Sequence, residues 1–147
     1  MRKYIYIFIG GMLGAVLRFT IHNIHILNYQ GKFPLNTLVI NITGCFILAL
    51  FITIVLEVLD IDADIRLGIA TGFIGAYTTF STFCKETVVL IVGGEYFSAI
   101  FNIVSSTILG LAATYLGIIV ARGIITKIAR GGIKQNESEI INEVEFK

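Results

Sequence analysis

The sequence is poor in charge: only 14% of its 147 residues are Asp, Glu, Lys or Arg, and it has no tryptophan and a single proline. A water-soluble domain of this length needs more polar residues than this to cover its surface. The net charge of +1 and the absence of a basic stripe argue against a nucleic-acid partner. With 56% hydrophobic residues, the composition indicates a membrane protein whose surroundings are the lipid bilayer.

Reactive side chains are also sparse. The two cysteines, Cys45 and Cys84, lie inside apolar runs, where a thiol usually behaves as a small hydrophobic group. No C-x-x-C pair, metal-ligand spacing, nucleophile constellation or phosphate-binding loop is present in the sequence. We therefore expect no enzymatic activity.

Four apolar segments are long enough to cross a bilayer, which takes about 20 helical residues. They cover approximately residues 4–27, 35–58, 67–92 and 97–121. Continuous apolar runs without alternation favour helices over barrel strands. The sequence thus predicts an all-α membrane protein with four transmembrane helices in residues 1–125, followed by a polar cytoplasmic tail in residues 126–147.

The distribution of basic residues predicts the orientation. An even number of spans places both termini on one side of the membrane, and the opposite side offers mainly Lys32. The positive-inside rule then places both termini in the cytoplasm. The basic residues on the side of the termini are Arg2, Lys3, Arg66, Arg122, Lys127, Arg130 and Lys134.

Two G-x-x-x-G steps, Gly10 with Gly14 and Gly68 with Gly72, occur in the first and third spans. Such steps allow close helix contacts, either within one chain or between two copies. The spacing alone does not separate these alternatives. A four-span chain nevertheless has little room for an interior path, so we expect it to associate with a second copy.

The third span contains the stretch GAYTTFSTF, from Gly75 to Phe83. Glycines followed by β-branched hydroxyl residues weaken a helix, so we expect a break in residues 75–79. Irregular backbone at membrane depth is tolerated where it lines a cavity, and its freed carbonyls are typical cation ligands. The stretch therefore predicts a site rather than a packing defect.

Polar side chains align on two other spans. Thr37 and Asn41 are four residues apart in the second span, and Asn102 and Ser106 are four apart in the fourth, so each pair shares a helix face. One interpretation is a set of hydrogen bonds that hold the helices together. The other is a polar path through the membrane.

Phe80 and Phe83 are three residues apart and share a face after the predicted break. Core packing is the usual role of such a pair. The alternative is that their ring edges, which are positive, stabilise an anion without offering a fixed charge. Together with neutral hydroxyl and amide donors, they would suit a small, strongly hydrated anion that must bind and leave again.

Three segments resemble, in order and spacing, the signature segments of the CrcB (Fluc) family of fluoride-specific channels. They are GGMLGAVLRF (Gly10 to Phe19), PLNTLVINITG (Pro34 to Gly44) and GFIGAYTTFSTF (Gly72 to Phe83). The resemblance implies an antiparallel, dual-topology dimer that encloses two fluoride pores. It also implies a passive channel that exports fluoride across a bacterial cytoplasmic membrane.

The resemblance further implies residue roles. Asn41, Phe80 and Phe83 match the fluoride pore, and Ser106 and Thr37 match the polar track beside it. The carbonyls of Gly75 and Thr78 match the ligands of a central sodium ion, and Arg18 matches an arginine near the aqueous vestibule or one that reaches the membrane interface. The chain departs from the family pattern at Asn102, where tyrosine is common, and at Gly110, where a hydroxyl is common.

Other interpretations stay open. The basic bias of one side is unexpected for a chain that inserts in both orientations, which suggests a heterodimer with an oppositely oriented homologous subunit. A small proton-coupled multidrug exporter is the second hypothesis, but it needs a carboxylate in the first span, where this chain has Arg18. The spans offer only Glu86, which we expect at the interface beside Lys85. A third hypothesis is a non-transporting scaffold.

Overall fold

The computed structural model describes residues 1–23, 31–59 and 61–145, with side chains as far as Ala129. Within these ranges the secondary structure is entirely helical, with no strand. The elements are α1 (Arg2–Asn23), α2 (Leu35–Glu57), α3 (Ala63–Leu67), a π-helical segment (Gly68–Ile74), α4 (Gly75–Tyr77), α5 (Phe80–Val92) and α6 (Tyr96–Glu145).

Among the described residues, three helices are long and apolar enough to cross a membrane: Arg2–Asn23, Leu35–Glu57 and Tyr96–Ala129. The 23 residues of α2 extend over about 34 Å, which exceeds a hydrocarbon core of about 30 Å. The protein is therefore a multi-pass membrane protein. The predicted second span is confirmed to within one residue, whereas the predicted end of the first span at residue 27 lies outside the described residues.

The predicted third span consists of short pieces. Its longest helix, α5, has 13 residues, which is too short to cross the bilayer alone. The chain leaves the helix at Thr78, with ψ of 158°, and continues through Thr79, with φ of −149°. The predicted break is thus confirmed at Thr78 and Thr79, but the prediction was wrong for Gly75–Tyr77, which is still helical.

The helices α2 and α6 run side by side in the same direction. Lys32, before α2, pairs with Glu95, before α6, at 2.6 Å, and Glu57, at the end of α2, pairs with Arg122 of α6 at 3.3 Å. Exposed ion pairs of this kind add little stability, but they show that the two helices begin at the same end and remain aligned along their length. Beyond Arg122, α6 continues to Glu145, so the predicted end of the fourth span at residue 121 lies inside one continuous helix.

The helix α1 packs against the third span through glycines. A methyl group at Gly10 would overlap the carbonyl oxygen of Gly68, and one at Gly14 would overlap that of Phe73. A Cβ at Gly72 would lie 2.8 Å from the oxygen of Ile7. The two G-x-x-x-G steps therefore face each other within one chain, which is the first of the two alternatives that the sequence left open.

Candidate functional site at the helix break

The side-chain amide of Asn41, on the neighbouring helix α2, forms hydrogen bonds with the backbone at the break. Its Nδ2 donates to the carbonyl oxygen of Thr79 at 3.0 Å, and the backbone N–H of Thr79 donates to Asn41 Oδ1 at 2.8 Å. Thr79 is buried, and a buried backbone group without a partner costs about 1–3 kcal/mol. Asn41 thus stabilises the extended backbone at Thr79 by supplying hydrogen-bond partners from outside the broken helix.

The same contacts release the carbonyls of Gly75 and Thr78 from helical hydrogen bonding. In a continuous helix, Thr79 N would donate to Gly75 O and Thr82 N to Thr78 O. Here Thr79 N donates to Asn41, and Thr82 N donates to the hydroxyl of Thr79 at 3.2 Å, which caps α5. The Thr78 hydroxyl lies 3.2 Å from the carbonyl oxygen of Ile74 and 3.4 Å from that of Gly75.

Neutral carbonyl oxygens of this kind are the ligands that broken membrane helices offer to sodium. The carbonyl oxygens of Gly75 and Thr78 therefore fit the sodium ion that the family resemblance implies.

A groove of about 320 Å³ lies next to the break, between α2, α5 and α6. Four of the predicted pore residues, Asn41, Phe80, Phe83 and Ser106, line it together, and none of the described residues that line it carries a charge. The groove opens to the outside of the chain. Its remaining lining residues are Gly44, Cys45, Leu48, Thr78, Thr79 and Thr107.

The two phenylalanine rings stand at the start of α5. Their centroids are 5.8 Å apart, and the ring planes make an angle of 35°. Phe83 is half-buried, whereas Phe80 is 78% exposed. Burial in the core of this chain is therefore excluded for Phe80, and its ring is available to whatever occupies or closes the groove.

Ser106 brings an unsatisfied hydroxyl to the groove. Its Oγ is buried and has no hydrogen-bond partner in the part of the chain that the structure describes. Thr107, the next residue, donates instead to the Ile103 carbonyl of its own helix at 2.8 Å. A buried hydroxyl without a partner calls for a water, an ion or a ligand.

Thr37 does not join this groove. Its buried hydroxyl donates to Glu86 Oε1 at 2.9 Å, while Glu86 Oε2 is buried without a partner among the described residues. The carboxylate of Glu86 thus turns towards the first turn of α2, and its predicted place at the interface stays a prediction. Only Lys85, beside it, is exposed.

Arg18 lies in a second groove of about 230 Å³, on α1. Thr79 lines both grooves, so the second groove lies on the other side of the break from the phenylalanine pair. Arg18 is half-buried there next to Ser81 and Thr82, two hydroxyl residues at the start of α5. The arrangement is a cationic, hydroxyl-lined groove next to the break.

The sequence of residues 5–118 matches the family model described as CrcB-like protein, camphor resistance. The chain belongs to the CrcB family. This family match includes every residue of both grooves, from Ala15 to Thr107.

Three curated CrcB relatives show how far the similarity extends. A protein of Acidobacterium capsulatum, named fluoride-specific ion channel FluC, is 42% identical over 124 residues, which are 84% of this chain and 98% of the relative. A protein of the same name from Hydrogenobaculum is 40% identical over 115 residues, or 78% and 93% of the two chains. FluC 1 of Staphylococcus aureus is 38% identical over 122 residues, or 83% and 98%.

Proposed function

We propose that this chain forms a passive, fluoride-selective channel that releases fluoride from the cytoplasm. The observation that carries the proposal is the unpartnered hydroxyl of Ser106 in an uncharged groove beside Phe80 and Phe83. The names of the three CrcB relatives support fluoride as the ion.

The chemistry of the groove suits a small, strongly hydrated anion. The hydroxyl of Ser106 can donate one hydrogen bond, and Asn41 keeps its second N–H after pairing with Thr79. The positive edges of the two rings add attraction without a fixed charge. Binding that replaces water but does not trap the ion is what conduction requires.

The driving force needs no coupled reaction. HF crosses membranes as a neutral molecule and dissociates inside the cell, so fluoride accumulates there. An inside-negative potential favours export of the anion by about 2.3 kcal/mol per 100 mV. A selective passive pathway is therefore sufficient for resistance to fluoride.

We further propose that the broken third span crosses the bilayer as the fourth transmembrane segment and that a second, antiparallel subunit closes the groove. The support is the open side of the groove and the exposed ring of Phe80. The second subunit is another copy of this chain or an oppositely oriented homologue, as the basic bias of one side suggests. Arg18 then lies at the aqueous vestibule.

A sodium ion between the two breaks completes this proposal. The carbonyls of Gly75 and Thr78 are its ligands in each subunit, and a two-fold axis supplies the same two from the partner. The ion would add a positive charge where two helix C-termini, with their partial negative charges, approach each other.

The proton-coupled exporter has one observation in its favour, the inward-turned carboxylate of Glu86. It lacks the carboxylate in the first span that such a mechanism needs, because α1 contains neither Asp nor Glu. We therefore favour the channel.

The proposal is tested by fluoride efflux from liposomes, followed with a fluoride electrode and with chloride as the control ion. We expect wild-type protein to release fluoride and retain chloride, and Phe80→Ile to reduce the fluoride flux. Phe97→Ile is the matched control, because Phe97 is as exposed as Phe80 (83%) but stacks on Phe101 away from the groove. Equal release of both ions, or no release of fluoride, would contradict the proposal.

A further inference from the structure

Asn102 is buried between α6 and α5 and does not line the groove. Only 1% of its surface is exposed, and its Nδ2 donates to the hydroxyl of Thr87 at 2.9 Å. Thr87 is itself buried. The pair therefore forms a contact between two helices in a region that water does not reach.

The contact continues to the backbone of the groove. Thr87 Oγ1 donates its hydrogen to the carbonyl oxygen of Phe83 at 2.8 Å. Asn102, Thr87 and Phe83 thus form a hydrogen-bonded chain from α6 to the residue whose ring lines the groove. Because the Thr87 hydroxyl donates its one hydrogen to Phe83 O, it accepts from Asn102 Nδ2.

The same α6 face carries Ser106, four residues after Asn102. The hydrogen bond between Asn102 and Thr87 consequently connects the turn of α6 that carries Ser106 to the turn of α5 that carries Phe83. A shift of α6 along α5 would change the distance across the groove between these two groups. A satisfied buried hydrogen bond in a low-dielectric surrounding resists such a shift.

We propose that Asn102 and Thr87 are positioning residues that set the width of the groove between Ser106 and Phe83, and with it the discrimination of fluoride from larger halides. This inference rests on the proposed fluoride function. It gives Asn102 a role that differs from lining the ion path, and it makes Thr87, whose hydroxyl receives the bond, equally important.

The test is a double-mutant cycle on fluoride and chloride flux in liposomes. Thr87→Val removes the hydroxyl with little change of shape, and Asn102→Leu removes the donor. We expect each to lower the ratio of fluoride to chloride flux by about tenfold, the size that corresponds to one hydrogen bond, and the double variant to be no worse than either single one. Thr87→Ser, which keeps the hydroxyl, should retain the wild-type ratio.

Thr114→Val is the matched control, since Thr114 donates to the Gly110 carbonyl of its own helix and lies outside the groove. A second measurement reports on Phe83 without conduction. With 4-fluorophenylalanine at position 83, the ¹⁹F resonance should move in folded Thr87→Val and Asn102→Leu proteins and stay unchanged in Thr114→Val.

The inference would be overturned by folded variants that keep both the wild-type flux ratio and the wild-type ¹⁹F resonance, or by strictly additive effects in the cycle. A moved resonance with an unchanged flux ratio would also contradict it, because the pair would then support packing alone. Wild-type protein that passes no fluoride is a different result: it would overturn the proposed function and the specificity role that rests on it.

Discussion

Asn41 pairs with both backbone polar groups of Thr79, at 3.0 and 2.8 Å, across 38 positions of the sequence. The amide of one side chain thereby accepts from the N–H that Thr79 turns away from Gly75 and also donates to the Thr79 carbonyl. Since Thr79 lines both grooves, the position of the break and the shape of the two grooves depend on this one side chain.

Removing the amide should therefore destabilise the break. We expect Asn41→Leu to lower the free energy of unfolding by about 1–3 kcal/mol, because it leaves the N–H of buried Thr79 unpaired and removes a hydrogen bond to its carbonyl. Asn41→Asp keeps an acceptor for the N–H of Thr79 but loses the donor to the Thr79 carbonyl, so only one of the two hydrogen bonds remains. Thermal unfolding in detergent measures the difference, and Thr53→Val, which loses only a bond within its own helix, is the control.

A result in which Asn41→Leu unfolds at the same temperature as Thr53→Val would show that the break does not depend on Asn41.

Gly44 should tolerate no side chain while Thr78 has its methyl group. A Cβ at Gly44 would overlap Thr78 Cγ2, so we expect Gly44→Ala to displace the break and reduce fluoride flux. Thr78→Ser removes that methyl group, and the double variant should recover the flux. Gly123→Ala, where a Cβ meets nothing within 4 Å, is the control. Failure of Thr78→Ser to rescue Gly44→Ala would contradict this contact.

Substitution of Ser106 should change fluoride flux without lowering stability. Its hydroxyl has no partner among the described residues, so we expect Ser106→Ala to leave the unfolding temperature unchanged or raised, because an unsatisfied buried group is removed. Fluoride flux should nevertheless fall, since a donor in the groove is lost. Ser105→Ala, on the neighbouring position of α6, should change neither quantity. A stable Ser106→Ala protein with full fluoride flux would remove Ser106 from the ion path.

The glycine contacts between α1 and the third span should matter for folding of the single chain. We expect Gly10→Ala to cost about 1–3 kcal/mol of unfolding free energy, because its methyl group meets the Gly68 carbonyl. Gly11→Ala meets its nearest atom only at 3.9 Å and should be neutral or stabilising. Chemical denaturation in detergent compares the two. Equal stability of these variants would contradict packing of the glycine steps within one chain.

Features that depend on local sequence were predictable. The second span follows from an uninterrupted apolar run, and the break follows from glycines next to Thr78 and Thr79. Phe80 and Phe83 share a face because of their spacing, and the structure places both beside the groove. Gly75 was included in the break because glycine weakens helices, but helical hydrogen bonds persist until Asn41 diverts Thr79 N.

Features that depend on the rotation of one helix against another were not predictable. The sequence marks Asn41 and Asn102 as polar residues in apolar helices, but it does not say that one binds the break and the other binds Thr87. Glu86 turns inward to Thr37. It lies on α5, which begins after the break, so the rotation of α5 about its axis does not follow from that of the preceding helix.

Passive, fluoride-selective transport can be measured as ion flux through the wild-type protein in liposomes without a pH gradient. The membrane potential is set by potassium and valinomycin, and fluoride and chloride are measured in parallel. We expect fluoride flux to follow the sign of the potential while chloride is retained. Fluoride movement that requires a pH gradient, or chloride flux equal to that of fluoride, would contradict it.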